Sequence, residues 1–497
     1  MGIIRRQTIK GSVYSYLGVI TGFFATAIIT PRLLTPGEIG LITVLIALSA
    51  LYSQFSTLGF TNVSVRMFAW FRNNENNHNG FPFLLVATGM TGFLLALAAF
   101  FILKPQLIQN NIEQSPLLVR YIWYLIPLIF FRLFLLLFDN YNMLLYDSTT
   151  GTLLTDLVYR LANLALLGAF YLEWIRFPGY LLAYVAAWCF PAVYLGALLI
   201  SRRQLSLRPQ LAFVTPALRK EMLTMAAFGI IGGLSGVAMT SIDKIMVNSY
   251  FGLNMTGVYT ISSYFATIIL IPNRSLSKIS SAFLSEAWKK NDLNTINDIY
   301  YKSSINQSVI GCLLFILMMA NLDNIYDMLP ATYGGGAMII ILIALGNLLA
   351  VSTGVSVNIL STSAKYKMQT YQLGLLILLT VGTNFLFIPM FGIYGAALAS
   401  MSSMAIYSAV RVVYLKKKMQ LFPYRSRHLK LLALSACVLL AGMLLPRMGH
   451  WIIDAVVRSA LMLLAFGSGL LLLNVSDEVS TVASHAAATG RKLFFNR

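Results

Sequence analysis

Fourteen runs of roughly twenty mostly apolar residues dominate this chain and leave few ways for it to fold. They cover 11–31, 38–61, 81–103, 117–139, 152–172, 178–201, 222–248, 256–273, 303–322, 336–360, 371–389, 393–415, 429–446 and 451–474. A helix needs about 20 such residues to cross the hydrocarbon of a bilayer. Lipid offers no partner to backbone N–H and C=O groups, so each run must satisfy them within itself, as a helix does. The alternation of barrel strands is absent. The expectation is an all-α integral membrane protein of about 14 transmembrane helices. Composition agrees: of 497 residues, 58% are hydrophobic and 11% charged, where soluble domains carry about 25% charged residues.

The N-terminus imitates a secretory signal. Arg5, Arg6 and Lys10 precede the first run, and Ala25-Thr26-Ala27 resembles a cleavage site. The run continues through Ile28 and Ile29, however, which predicts a retained first helix. Cys189, Cys312 and Cys437 each sit inside an apolar run, with no CxxC or Cys/His spacing. They read as buried thiols, and no metal or other cofactor is expected.

The net charge of +19 suits basic cytoplasmic loops facing anionic lipid. The cations are scattered between apolar runs instead of forming one surface with stacking aromatics, which argues against nucleic acid. Lysines and arginines are several times more numerous in the even-numbered loops than in the odd-numbered ones. The positive-inside rule therefore puts the even loops and both termini in the cytoplasm.

Two pairs of glycines recur at nearly one offset. Gly40 matches Gly257, between helices 1–2 and 7–8, and Gly179 matches Gly395, between helices 5–6 and 11–12. This spacing suggests an N-terminal six-helix bundle (1–203), a cytoplasmic linker (204–220), a C-terminal six-helix bundle (221–418), and then helices 13–14 with a cytoplasmic tail (419–497). Six helices is an even number, so the two bundles share one orientation, as in transporters with parallel repeats that rock around a midplane site.

Three segments carry a family resemblance. Residues 32–69 (RLLTPGEIGLITVLIALSALYSQFSTLGFTNVSVRMFA) resemble the first helix-pair signature of bacterial polysaccharide flippases. Residues 241–272 resemble the start of their second half, and FIPMFGIYGAALAS (387–400) their helix 11–12 junction. The superfamily also holds multidrug extruders and peptidoglycan-precursor flippases. The resemblance implies two pseudo-symmetric helix bundles around a central cavity, in the bacterial cytoplasmic (inner) membrane. It implies transport of polyprenyl-diphosphate-linked oligosaccharide from the inner to the outer leaflet by alternating access. The partners implied are that lipid-linked oligosaccharide, membrane lipids, a coupling cation (H+ or Na+) and polymerase or assembly proteins. The chain departs from other lipid flippases of the superfamily in lacking a dense set of cavity arginines on the first helix. Its Arg32 sits near that helix's outer end.

A diphosphate calls for Arg or Lys, and charges within spans are costly enough to need a reason to persist. Arg132 is the deepest cation, with Asp139 two turns on; Arg160 has Asp156 one turn before and Asn163 about one turn after. One reading pairs Arg132 and Arg160 with Asp139 and Asp156 in a polar seam; the other points the cations at cargo. Lys244 faces anionic cargo or a neighbouring acid, and Asp243 takes a coupling cation or sits at a solvated helix end. Arg274 and Lys278, one turn apart after Pro272, form a cationic entrance or snorkel to lipid headgroups; Arg66 has the same two readings. Asn347, Asn358 and Asn384 bond sugar hydroxyls or neighbouring helices. Asp139 and Asp156 join Asp243 as candidate ion sites.

No Walker motif is present, so the expected transport runs without ATP. The rivals are a cation or drug antiporter of the same superfamily, which wants an open carboxylate, and a membrane glycan polymerase, which wants catalytic acids on a large outer loop. The longest odd loop, 104–116, holds one acid, Glu113. The chain reads as a transporter and not as an enzyme.

Overall fold

The computed structural model describes residues 2–73, 75–476 and 478; the side chains at 2–6, 8, 9, 12, 211, 274, 275, 278, 279 and 282 lie outside that description. The helices long and apolar enough to span a membrane begin with α1 (Val13–Leu33), α2 (Pro36–Ser56), α3 (Asn77–Asn111), α4 (Pro116–Leu144), α5 (Thr149–Tyr171) and α6 (Phe177–Ser201). The run Pro216–Asn273 is 58 residues long. At 1.5 Å per residue that is about 87 Å, nearly three times a hydrocarbon core of about 30 Å. It breaks at Gly252 (φ 74°, ψ −175°), giving α7 (216–251) and α8 (253–273). Then come α9 (Leu293–Ala320), α10 (Ala337–Ser352 with Ser356–Thr362, bent by 49°), α11 (Lys367–Phe391), α12 (Ile393–Met419), α13 (Ser426–Met443) and α14 (Trp451–Leu472). Fourteen spans result among the described residues, as the apolar runs predict. The protein is a multi-pass membrane protein.

Helix ends follow local chemistry. Thr35 and Glu38 form a reciprocal cap, with the Thr35 N–H donating to Glu38 Oε2 at 2.8 Å and Pro36 at the first helical position. The run expected over 38–61 stops earlier, because Leu58 and Gly59 take positive φ. A separate helix, Phe60–Phe71, follows.

The chain forms two compact units. One runs to Ile261 and adds Leu373–Ala396; the other holds Ser262–Gln372 and the chain from Ala397. In the first unit, Phe68, Phe71, Phe81 and Tyr141 pack edge to face at one end of α3 and α4. Leu41, Phe100, Leu125 and Leu181 fill the other end.

The first unit also explains one glycine pair. A Cβ on Gly40 would lie 2.0 Å from the Leu253 carbonyl oxygen, and a Cβ on Gly257 would lie 1.9 Å from the Pro36 carbonyl oxygen. Between them, a Cβ on Gly37 would meet Asn254 Oδ1 at 2.7 Å. The 217-residue offset exchanges the first two contacts with each other, and the third joins residues that correspond under it. The starts of α2 and α8 thus cross around a local two-fold axis, closely enough that only glycine fits; helices in lipid associate by such small-residue packing. The second pair differs. A Cβ on Gly395 would sit 2.0 Å from the Phe387 carbonyl oxygen, whereas one on Gly179 would make an ordinary 3.7 Å contact with Ile175.

In the second unit, Ile305, Cys312, Leu431 and Phe466 bind α9, α13 and α14 together. The turn between α13 and α14 is clamped by a buried pair: Arg458 Nε donates to Asp454 Oδ2 at 3.0 Å, and Arg458 Nη1 donates to the Gly442 carbonyl at 2.8 Å. Asn324 Nδ2 donates to the same carboxylate at 2.6 Å. Cys189 and Cys312 are buried as expected, but Cys437 is exposed. Its apolar run fixes a helix without fixing which face turns outward.

Candidate functional site

A cleft of about 200 Å³ opens within the first unit, walled on one side by Ile39, Ile42, Ile46 and Ala47 of α2. Thr26 and Thr30 of α1, Thr43 of α2, Asn163 of α5, Tyr180 and Tyr184 of α6, Thr240, Ser241 and Lys244 of α7, and Thr260 of α8 line it. Two irregularities shape these walls. Residues Phe24–Ile29 of α1 and Ala238–Ile242 of α7 are π-helical turns, a widening often found at functional positions. In α1 the Thr30 hydroxyl donates back to the Ala25 carbonyl at 2.8 Å. In α7 the turn carries Thr240 and Ser241 and leads directly into Asp243 and Lys244.

Lys244 is the one charged side chain among the described lining residues. Asp243 is 7% exposed, and its carboxylate accepts from the Tyr259 hydroxyl at 2.6 Å and the Lys244 backbone N–H at 2.9 Å. The acid is thereby spent inside the protein while the ammonium lines the cleft. The Tyr180 hydroxyl donates to Asn163 Oδ1 at 3.0 Å, and the Tyr159 and Tyr184 hydroxyls pair at 2.5 Å. An aromatic path continues from there. Tyr159 meets Trp188 edge to face with centroids 4.7 Å apart, and the Arg132 guanidinium carbon lies 5.7 Å from the Trp188 ring centre. Arg132 Nε and Trp188 Nε1 are buried with no hydrogen-bond partner among the described residues. The site therefore offers a cation, hydroxyl and amide groups, and aromatic faces.

The expected polar seam does not form. Arg160 Nη1 donates to the Gly18 carbonyl at 2.6 Å, and Asp156 Oδ2 accepts from the Ser15 hydroxyl at 2.6 Å. Asp139 packs onto the bare Cα of Gly151, where a Cβ would fall 1.6 Å from its Oδ1. The physical reason is α1, which lies against the π-helical turn Leu153–Val158 of α5. It supplies partners that the sequence separation conceals.

The other candidates are not among the described lining residues of the cleft. Arg32 and Arg66 are exposed, at the end of α1 and on the Phe60–Phe71 helix. Asn347, in the second unit, donates to the Ala266 carbonyl at 2.9 Å, so its amide ties α10 to α8. Asn358 similarly donates to Ser277 O and Ser281 Oγ at 3.0 and 2.6 Å. Arg274 and Lys278 belong to the helix Ile271–Lys289, and their side chains lie outside the described residues. Sequence reasoning missed Tyr180 and Tyr184. Their signal was the four-residue spacing of Tyr180, Tyr184 and Trp188, which puts three polar-tipped aromatics on one helix face.

A larger groove of about 590 Å³ runs along α2 and α3, lined by Leu48, Leu51, Phe55, Leu95 and Leu103, with Ile230 of α7. No charged side chain is among its described lining residues. It offers chiefly hydrocarbon contacts, with Tyr52, Ser56, Gln106 and Asn110 as its polar side chains.

Fold and spans define the class: an all-α, multi-pass membrane protein. The structure is similar to that of the lipid II flippase MurJ in an inward closed conformation, with a TM-score of 0.71 at 14% identity over 93% of this chain and 99% of MurJ. It is also similar to an inward-facing multidrug resistance MATE transporter of the MOP superfamily, with a TM-score of 0.63 at 13% identity over 82% of this chain and 98% of that one. In sequence, the chain is 21% identical over 220 residues to the probable flippase AglR of Haloferax volcanii. That match spans about half of each protein, 43% of this chain and 46% of AglR. No family model matches the sequence. These likenesses agree with the flippase resemblance read from the motifs.

Proposed function

We propose that this chain is a flippase. Its cargo is a lipid-linked oligosaccharide carrying a polyprenyl diphosphate, moved from the inner to the outer leaflet of the bacterial cytoplasmic membrane by alternating access of two six-helix bundles. Both termini are cytoplasmic. The observation that carries this reading is the polarity of the cleft: Lys244 lines it, while the adjacent Asp243 is engaged by Tyr259. A diphosphate is drawn to such a cation. Hydroxyls, amides and tyrosine rings suit a sugar headgroup, and likeness to MurJ and AglR supports a lipid-linked cargo. The engagement of Asp243 favours an anionic cargo over the cationic drugs of an antiporter.

In this reading Lys244 binds diphosphate. Arg132 meets cargo along the aromatic path, and Arg32, Arg66, Arg274 and Lys278 guide anionic headgroups toward the spans. Asp243, Asp139 and Asp156 are the candidate sites for a coupling H+ or Na+, and an ion at Asp243 must compete with the Tyr259 hydroxyl. An ion moving down the membrane potential supplies about 2.3 kcal/mol per charge per 100 mV. The test is transfer of a fluorescent polyprenyl-diphosphate oligosaccharide across proteoliposome leaflets. Transfer should require the protein and fall sharply in Lys244→Gln. A protein that moves a cationic dye but not this lipid would refute the assignment.

A further inference from the structure

The second unit contains a buried cation that the proposed transport cycle does not use. Arg411, on α12, is 3% exposed. Its Nη2 makes a long hydrogen bond, 3.4 Å to Thr353 Oγ1, and the Tyr407 hydroxyl is a second neutral side-chain partner of the guanidinium. Its Nε and Nη1 are buried with no acceptor among the described residues. The Tyr407 ring centre stands 4.5 Å from the guanidinium carbon. Tyr300 of α9 and Tyr424, in the segment before α13, also face it. No carboxylate comes within ion-pair distance of Arg411 among the described residues. A guanidinium cannot shed its proton to escape burial, so its uncompensated charge and its Nε and Nη1 atoms need an explanation.

Other buried polar atoms of the second unit lack partners among the described residues too, Gln369 Oε1 among them. The Tyr300 and Ser408 hydroxyls and both amide atoms of Gln372 are likewise buried without partners, and Tyr300 and Gln372 are 0% and 1% exposed. Ser408 lies one turn before Arg411 on α12. Gln369 Nε2 reaches the Tyr407 hydroxyl at 3.4 Å, bringing α11 to the cluster. Thr353 stands in the break of α10, between Ala337–Ser352 and Ser356–Thr362. Next to it, Gly354 has φ +54°, and the Val355 N–H donates to Ser303 Oγ at 3.2 Å.

We propose that Arg411 is the core of a buried binding site for a small monovalent anion of the halide class, enclosed by α9, α11, α12 and the bend of α10. The anion accepts from Nε and Nη1 of Arg411, and the hydroxyls of Tyr300 and Ser408 turn toward it. Close enclosure by buried side chains selects a halide-sized ion over a phosphate headgroup. The bound anion neutralises the guanidinium and links the bend of α10 to its neighbours, so occupancy fixes the geometry of that bend. This site is independent of the cargo assignment.

The experiment uses the purified full-length protein in detergent, with chloride or bromide replaced by gluconate at fixed ionic strength and fixed cation. The expected result is a saturable rise in the unfolding midpoint with chloride and bromide, absent in Arg411→Gln. Equal midpoints in chloride and gluconate would overturn the proposal. Arg411→Gln also removes a buried charge, so a second arm uses the unaltered protein crystallised in bromide. An anomalous peak within hydrogen-bonding distance of Arg411 Nε or Nη1 is expected. A protein acceptor or ordered water there in place of bromide would overturn the proposal as well.

Discussion

Gly40 and Gly257 meet reciprocally: each lies against the carbonyl of the residue four positions before the other, Leu253 for Gly40 and Pro36 for Gly257. The sequence offset that relates them is thus also a spatial relation. An alanine at either position would press its Cβ to about 2 Å from backbone, and backbone cannot yield as a flexible side chain does. Overpacking of this kind typically costs about 1–3 kcal/mol. Gly40→Ala and Gly257→Ala should each lower the unfolding midpoint in detergent, and the double variant should cost less than their sum because both strain one crossing. Gly179→Ala, with ordinary space around it, is the control and should be near neutral.

Lys244 should govern cargo affinity. A hydrogen bond to a charged group is worth about 1.5–3 kcal/mol, so Lys244→Gln should weaken binding of a polyprenyl diphosphate about ten- to hundredfold. Lys244→Arg should retain part of it. Titration of the lipid against purified protein measures both, and unchanged affinity in Lys244→Gln would remove this residue from the site.

The Asp454–Arg458 pair makes an asymmetric prediction. Breaking a buried pair from one side strands a charge and costs about 3–5 kcal/mol. Arg458→Met alone should therefore destabilise the protein strongly. Replacing both partners with apolar residues, Asp454→Leu with Arg458→Met, should cost less than Arg458→Met alone. Thermal unfolding of the three proteins separates this from simple loss of packing.

Outside the spans, Asp147 accepts from Arg202 at 2.9 Å and from the Thr150 hydroxyl at 2.8 Å. Burial pushes its carboxyl pKa up, but the bonds to Thr150 and Arg202 prevail and hold it below the ordinary value. A carboxylate whose folded pKa is depressed stabilises the fold above its unfolded pKa, about 3.9. That stability is lost as pH falls through the lower folded value. Arg202 is nearly half exposed, so the pair is worth up to about 1 kcal/mol. The stability gap between the unaltered protein and Asp147→Asn should be constant near neutrality and shrink below about pH 4.

Hydropathy made the spans legible because lipid forces every apolar run into a helix. It was blind to backbone breaks inside such runs. The stretch 336–360 reads as one apolar segment, yet α10 bends between Ser352 and Ser356. Two serines of α9 meet backbone groups freed there, Ser303 accepting from the Val355 N–H and Ser304 donating to the Ser352 carbonyl, and Gly354 permits a left-handed turn. The cleft was half legible: Lys244 stood out as a charge, but Tyr180 and Tyr184 passed as apolar filling. Arg411 was hidden for another reason. It lies inside the apolar run 393–415, one turn from its end, and no local pattern shows that its side chain is buried. Partnerships such as Asp156 with Ser15 depend on how α1 packs, which no local pattern encodes.

The clamp at the last turn bears on how the protein is made. Asp454 and Arg458 lie on one face of α14, and the Gly442 carbonyl that Arg458 reaches ends the preceding helix. Offered singly to the bilayer, α14 would carry both charges without that cap or Asn324. The final two helices should therefore leave the translocon as a preassembled hairpin, and a ribosome stalled before Trp451 should hold α13 waiting for its mate.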